Sequence, residues 1–170
     1  MERVYWDTVE FNNHAMFLVA TQKGIKFVSN PALGISQIYN FYRHQSFEFK
    51  YQASITSDYQ RILTDYLGGD RLDQPVPFDL KGGGDQFALQ VWRLVRRIPY
   101  GEVRTVKQLA DQLQTSAASV ETAIKSNPVL ILIPTHRVIV SSQKLGRFRE
   151  SLSMKSQLLE IETIMRNVED

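Results

Sequence analysis

The chain has 170 residues, of which 43% are hydrophobic and 22% charged, the ordinary balance of a globular protein with a buried core. No apolar run approaches the roughly 18 residues that a membrane span needs, and the start lacks the layout of a signal peptide, so we expect a cytoplasmic location and no membrane partner. Cysteine is absent, which excludes disulfides, thiolate metal ligands and thiol nucleophiles. The three His are scattered, and no carboxylate lies at metal-ligand spacing around any two of them, so we expect neither a metal nor a cofactor.

Charge is distributed unevenly behind a formal net charge of +2. Residues 88–157 carry eleven Lys or Arg and four Asp or Glu, whereas residues 1–86 and 158–170 are both net acidic. Neutralising a phosphate releases condensed counterions, so a phosphate backbone is a natural partner for the basic segment. A solvated basic surface without a ligand is the alternative. The basic residues are Arg93, Arg96, Arg97, Arg104, Lys107, Lys125, Arg137, Lys144, Arg147, Arg149 and Lys155.

The N-terminal third is rich in aromatic and β-branched residues, which predicts strands over 3–11 and 15–29. A hairpin turn at Gln22-Lys23-Gly24 divides the second stretch. Residues 35–42 repeat their apolar side chains at the spacing of one helix face. A small antiparallel sheet with a short helix is the expected product.

The next elements are a strand over 47–55, which alternates, and a helix over 59–67 that Ser57-Asp58 would cap. Residues 68–84 concentrate Gly, Pro and Asp, so we expect a linker and a domain boundary there. Strands followed by helices indicate the α+β class.

Beyond the linker, residues 87–98 form an amphipathic pattern that ends at Pro99. Thr105 is positioned to cap a second helix through Leu113, and Ser116 to cap a third through about Ser126. Two short helices joined by a polar break are typical of a helix-turn-helix. After Asn127-Pro128, the run VLILIP predicts a buried extended segment, and a closing helix follows with its apolar residues near the helical period.

Four stretches resemble the C-terminal domain of the O6-alkylguanine-DNA alkyltransferases: FALQVWRLVRRIPYGEV, NPVLILIPTHRVI, SSQKLG and MKSQLLEIE. They cover most of residues 87–162, and the IPYGE turn, the Asn-Pro hinge and the active-site run are specific in combination. The resemblance implies an RNase-H-like N-terminal domain with linker over 1–84. It also implies an alkyltransferase-like DNA-binding domain over 85–170, winged-helix-like and containing the helix-turn-helix.

In that family the helix-turn-helix docks in the minor groove and the damaged base is flipped into a pocket, where a Cys accepts the alkyl group once. The resemblance places Thr135 at the Cys position, beside His136, with Asn127 as the hinge residue and Glu162 on the last helix. An aliphatic hydroxyl is far less acidic than a thiol and attacks an sp3 carbon poorly. The resemblance therefore implies that methyltransferase activity is lost.

Other positions also depart from the family pattern. Ala118 stands where the family has an intercalating Arg, Val106 replaces a Tyr, and 149–151 reads Arg-Glu-Ser instead of Ser-Gly-Gly, which crowds the pocket mouth. By resemblance, the expected DNA-contacting positions are Tyr100, Arg104, Thr105, Ala118, Lys125, Arg137 and Ser141. The expected lesion pocket comprises Val106, Pro134, Thr135, Val138, Phe148 and Arg149.

Three functional hypotheses follow. The first is a non-catalytic alkyltransferase-like protein that binds duplex DNA, alkylated or plain, in damage recognition or repair. The second is a degenerate member that serves as a protein-interaction or structural module without DNA, which the neutral helix around Ala118 favours. Under it, Asn127, His136, Arg137 and Glu162 are kept as a buried hydrogen-bond network and not as a lesion pocket. The third is a hydrolase that uses Thr135 and His136.

Overall fold

The computed structural model describes residues 1–72 and 74–169, and side chains as far as residue 163. The chain divides into two compact units, one formed by Met1–Gly83 with Pro128–Leu130 and the other by Gly84–Asn127 with Ile131–Asp170. Strands and one helix make up the first unit, and helices dominate the second, so the predicted α+β class is confirmed. No helix in the described part of the chain is long and apolar enough to cross a bilayer.

The first unit contains a four-stranded sheet in the order β3-β2-β1-β4. The strands are β1 (Glu2–Phe11), β2 (His14–Thr21), β3 (Gly24–Val28) and β4 (Phe47–Lys50). Strands β1 to β3 are antiparallel as expected, but β4 joins β1 in parallel. A parallel pair needs a crossover connection, and residues 29–46, with a 3-10 helix at Ile35–Asn40, supply it.

The β2–β3 hairpin was predicted from the sequence, whereas the β1–β2 hairpin was not. The predicted turn before Gly24 is confirmed by the antiparallel pairing of β2 with β3. The turn between β1 and β2 uses Asn12 and Asn13, whose φ angles are 52° and 65°. Two left-handed residues are what a tight hairpin of this kind needs, and Asn tolerates them better than most residues.

Helix α1 (Ala53–Leu67) begins earlier than the sequence suggests. The predicted strand over 47–55 ends at Lys50, and the predicted cap at Ser57-Asp58 is wrong because both residues lie within the helix. Thr56 explains the difference: it is buried, and its hydroxyl donates to Asp7 Oδ2 at 3.0 Å. A polar residue on the buried face does not register in an apolar pattern.

One face of the sheet carries a compact apolar cluster. Its buried members are Val4, Val19, Phe27, Ile38, Tyr42 and Phe47. The segment Pro128–Leu130 belongs to the same unit because it adds to the β3 edge, where Val28 N donates to Pro128 O at 3.0 Å. No local pattern in residues 128–130 predicts that attachment.

The second unit is built from α2 (Gln86–Val95), α3 (Val106–Leu113), α4 (Ala117–Lys125) and α5 (Leu152–Glu169), with the parallel pair β5 (Arg104–Thr105) and β6 (Val138–Ile139). Thr105 caps α3 in a capping box with Gln108, and Ser116 caps α4, so both predicted caps are confirmed. Trp92 on α2 donates its indole N–H to Ala123 O on α4 at 2.8 Å. Helices α3 and α4 occupy the predicted helix-turn-helix positions.

The run from Val129 to Ile133 is buried, as expected, but only Val129 pairs as a strand residue would, in a parallel bridge with Val28. Residues 130–132 form turns, and Ile131 has a φ angle of 73°, a left-handed conformation that a β-branched residue rarely adopts. The prediction of an extended segment is therefore wrong beyond Val129. Apolar content predicts burial here, whereas the surrounding structure decides the backbone conformation.

Candidate functional site

The candidate site is in the second unit, at a single 3-10 turn, Thr135–Arg137, between Pro134 and β6. Thr135 N donates to Ile133 O at 2.8 Å, and Arg137 N donates to Pro134 O at 2.9 Å, which closes the turn. All three side chains of the turn are buried, and Thr135 is only 1% exposed. The turn thus directs three consecutive polar side chains into the protein interior.

Asn127 fixes this turn from one side. Its side chain is fully buried, and the Nδ2 amide donates to Ile133 O at 2.9 Å and to Thr135 Oγ1 at 3.1 Å. Both N–H groups of this buried amide therefore have an acceptor. The Thr135 hydroxyl oxygen is therefore held as an acceptor beside the Asn127 amide.

Glu162 on α5 fixes the turn from the other side. It is 1% exposed and accepts from three groups: His136 Nε2 at 2.6 Å, Arg137 Nε at 2.9 Å and Gly101 N at 2.9 Å. Burial by itself would raise the pKa of Glu162, but the hydrogen bonds and charges of His136 and Arg137 outweigh it and lower the pKa to about 2. An ionised carboxylate is acceptor-only, so we assign the proton on this side of the ring to His136 Nε2.

Two residues expected to touch DNA lie in the interior instead. Arg137 is buried, and its Nη1 donates to Ile98 O at 2.8 Å while its Nε bonds Glu162. Tyr100 is also buried, with its ring 5.6 Å from the Arg137 guanidinium carbon. The guanidinium is therefore committed to internal contacts.

The other expected DNA-contacting positions lie at or near the surface. Ala118, Lys125 and Ser141 are exposed, and Arg104 is partly exposed in an ion pair of 3.2 Å with Glu102. The Thr105 side chain accepts from Gln108 N as the cap of α3. Lys125 is the single basic residue of α4, so this helix has little positive charge to offer a phosphate.

The expected pocket positions are brought together only in part. Val106, Pro134, Val138 and Phe148 are buried, like Thr135. Arg149 is half-buried, and its Nη1 donates to Asn127 O at 2.8 Å. The loop that follows β6 is thereby tied to the same Asn127 that contacts Thr135.

Lys155 is a buried residue that the sequence analysis counted only as part of the basic segment. Its ammonium donates to the carbonyl oxygens of Val138, Leu145 and Gly146, and lies 4.2 Å from the centre of the Phe148 ring. Burial lowers the pKa of Lys155 to about 8, partly opposed by the charge of Glu150. Its spacing of seven residues from Glu162, on the same helix face, is the signal that could have identified it.

The hydrolase hypothesis finds no support in this geometry. His136 directs its Nε2 to Glu162, and the hydrogen bond to Thr135 Oγ1 comes from Asn127. A general base must reach the proton of its nucleophile.

Comparison with known proteins gives one consistent family. The family model described as "6-O-methylguanine DNA methyltransferase, DNA binding domain" matches residues 86–164. The inducible methylated-DNA--protein-cysteine methyltransferase of Bacillus subtilis is 32% identical over 166 residues, covering 94% of this chain and 90% of that protein. The methylated-DNA--protein-cysteine methyltransferase of Sulfurisphaera tokodaii is 41% identical over 108 residues, covering 64% of this chain and 68% of that protein.

Solved structures agree with the sequence matches. The Mycobacterium tuberculosis OGT structure in complex with DNA superposes with a TM-score of 0.76 at 26% identity, covering 96% of this chain and 94% of that chain. The structure of the O6-methylguanine methyltransferase of the same organism gives a TM-score of 0.75 at 26% identity, covering 98% and 99%. The resemblance inferred from the sequence is confirmed, and the chain belongs to the methylated-DNA–protein-cysteine methyltransferase family.

Proposed function

We propose that this chain is a non-catalytic, alkyltransferase-like member of its family that binds duplex DNA in damage recognition or repair. The observation that carries the proposal is the presence of Thr135 beside the buried hydrogen bonds of Asn127, His136 and Glu162. Thr135 accepts from Asn127, and its neighbour His136 bonds Glu162. The sequence resemblance aligns Thr135 with the family's acceptor Cys, and the chain has no cysteine.

Chemistry supports the loss of alkyl transfer. The family reaction requires a thiolate to attack the alkyl carbon, and a thiol is poised for this because it ionises near neutral pH beside a His. The Thr135 hydroxyl is much less acidic, is 1% exposed, and accepts a hydrogen bond from Asn127. Without a cysteine elsewhere, a neighbouring residue has no thiol with which to replace it.

DNA binding is supported by the fold and by surface charge. The superposable Mycobacterium tuberculosis OGT is bound to DNA, and helices α3 and α4 form the helix-turn-helix of this chain. Most basic residues of the segment 88–157 are exposed, with Arg137 and Lys155 as the buried exceptions. We expect this surface to contact backbone phosphates, because such contacts need positive charge and no base-specific geometry.

A fluorescence anisotropy titration tests the binding. Labelled duplexes that differ only in a single O6-methylguanine are titrated with the protein from low to physiological salt. We expect binding that weakens steadily as salt increases. If neither duplex binds at low salt, the proposal fails in favour of the protein-interaction module.

A methyl-transfer assay tests the loss of catalysis. With a duplex carrying radiolabelled O6-methylguanine, the unaltered chain should retain no label, and Thr135→Cys should gain little. The reason is that the variant still has Ala118 and Val106 in place of the family's Arg and Tyr. The triple variant Thr135→Cys, Ala118→Arg, Val106→Tyr should transfer more, and Thr122→Cys on the exposed face of α4 is the matched control.

Transfer by the unaltered chain would disprove the non-catalytic assignment. Efficient transfer by Thr135→Cys alone would show that the other two departures matter little.

A further inference from the structure

Glu150 is a buried carboxylate that neither the fold nor the site explains. It is 1% exposed, and among the described residues neither of its oxygens has a hydrogen-bond partner. It follows Arg149, whose guanidinium is bonded to Asn127 O, so it belongs to the loop tied to the Thr135 network. Burying a carboxylate without hydrogen bonds is unfavourable, so such a group calls for a partner.

The nearby Lys155 supplies charge but no hydrogen bond. Its ammonium has three donors, and they are directed to the carbonyl oxygens of Val138, Leu145 and Gly146. Lys155 and Glu150 attract each other electrostatically, without an ion-pair contact in the described residues. Both carboxylate oxygens of Glu150 therefore keep their capacity to accept hydrogen bonds from a ligand.

Resting on the proposed function, we infer that Glu150 makes this a site for a cationic N-alkylated base rather than for neutral O6-alkylguanine. A carboxylate at this position accepts hydrogen bonds and stabilises positive charge. 1-Methyladenine and 3-methylcytosine both carry a positive ring and an exocyclic amino donor. O6-Methylguanine also has an amino donor, at N2, but its ring is neutral and the alkylated edge presents lone pairs at N1 and O6, which a carboxylate repels.

The helix-turn-helix is consistent with the same class of ligand. Alkylation at N1 of adenine or N3 of cytosine blocks Watson–Crick pairing, so less work is needed to extrude such a base. The family's Arg takes the place of an extruded base, and this chain has the exposed Ala118 there. Without that Arg, the protein is better suited to bind a base whose pairing is already lost than to extrude a paired one.

A competition titration tests the inference with the unaltered chain. Four duplexes of one sequence carry 1-methyladenine, 3-methylcytosine, O6-methylguanine or a neutral adenine mispaired with adenine. The mispair separates the effect of charge from that of lost pairing. We expect either cationic base to bind roughly tenfold more tightly than both neutral duplexes, as one charge-assisted hydrogen bond permits. The two cationic duplexes show whether a purine or a pyrimidine is preferred.

Two variants then assign the preference to this carboxylate. Glu150→Gln keeps the size and removes the charge, so it should abolish the tenfold preference. Glu160→Gln loses the same charge at an exposed position of α5 and should retain it. Thermal unfolding verifies that both variants fold. If either variant does not fold, the comparison of duplexes with the unaltered chain still decides the ligand class.

The outcomes separate the two proposals. Equal affinity for charged and neutral bases, tighter binding of O6-methylguanine, or a preference that survives in Glu150→Gln would overturn this inference and leave DNA binding intact. Failure of every duplex to bind would overturn the proposed function and this inference with it.

Discussion

Replacing Glu162 by Ala removes the group on which the candidate site depends most. The carboxylate is 1% exposed and accepts from His136, Arg137 and Gly101 N. Its loss leaves the Arg137 guanidinium with one carbonyl partner, Ile98 O, and without its counter-ion. Such a change is expected to destabilise the second unit.

The expected magnitude follows from two separate arguments. Removing one partner of a buried ion pair typically costs about 3–5 kcal/mol. The pKa of Glu162 is lowered from 4.5 to about 2, which at about 1.4 kcal/mol per unit corresponds to roughly 3 kcal/mol. In a protein of this size each kcal/mol moves the melting temperature by about 2–4 °C, so we expect Glu162→Ala to lower it by roughly 10 °C.

Tryptophan fluorescence during urea or thermal unfolding measures this loss. The chain has two tryptophans, Trp6 in the first unit and Trp92 in the second, so a Trp6→Phe background makes the signal specific to the second unit. Glu160→Ala, on the exposed face of the same helix, is the control and should cost little. A loss below about 1 kcal/mol for Glu162→Ala would refute the reasoning, since it would mean that the buried network contributes no net stability.

The pH dependence of the same variant has a definite sign. A carboxylate whose pKa is lower in the folded state stabilises the protein fully above its unfolded pKa of 4.5, and this contribution is lost as the pH falls through about 2. The stability difference between Glu162→Ala and the unaltered chain should therefore be constant above pH 4.5 and shrink below it. A difference that stays constant down to the acid limit would contradict the assignment.

Three further predictions concern the second unit. Because burial lowers the pKa of Lys155 from 10.5 to about 8, the folded state binds fewer protons than the unfolded state between these values, and stability should rise with pH across that window. Lys155→Met should remove this rise in urea titrations, and a rise that persists would assign it to other groups. Thr105→Ala should cost about 1 kcal/mol through loss of the α3 cap, with Thr122→Ala as a helix-surface comparison, and an equal cost for both would argue against capping. Asn127→Ala leaves Ile133 O without its amide donor and should cost about 2 kcal/mol by chemical denaturation, whereas a cost near zero would show that the turn holds without it.

Local sequence signals predicted the second unit well. Thr105 and Ser116 are small polar residues ahead of an amphipathic stretch, and capping depends only on the few residues that follow, so both helix starts were predicted correctly. The resemblance also assigned Thr135, Asn127, His136 and Glu162 to one site, and the structure brings them together. Their functional roles stay predictions.

Features that depend on contacts between residues far apart in the sequence were predicted less well. Thr56, in the first turns of α1, is buried and bonds Asp7, which is far from it in the sequence, so the apolar pattern does not reveal this part of the helix. The left-handed backbone of Ile131 is imposed by its surroundings, because its own side chain disfavours that conformation. The sequence left Arg137 open between a DNA contact and a member of the buried network, and its bonds to Glu162 and Ile98 O place it in the network.

By itself the sequence determined the absence of a thiol, the α+β class, the helix-turn-helix and the family, because these depend on composition, local periodicity and motif spacing. Tertiary structure alone decided which charges are surface charges. Arg137, Glu150 and Lys155 are all buried, but among the described residues Arg137 and Lys155 have hydrogen-bond partners and the Glu150 carboxylate has none. Burial and pairing depend on side chains distant in the sequence, and the lack of a partner makes Glu150 the residue to test.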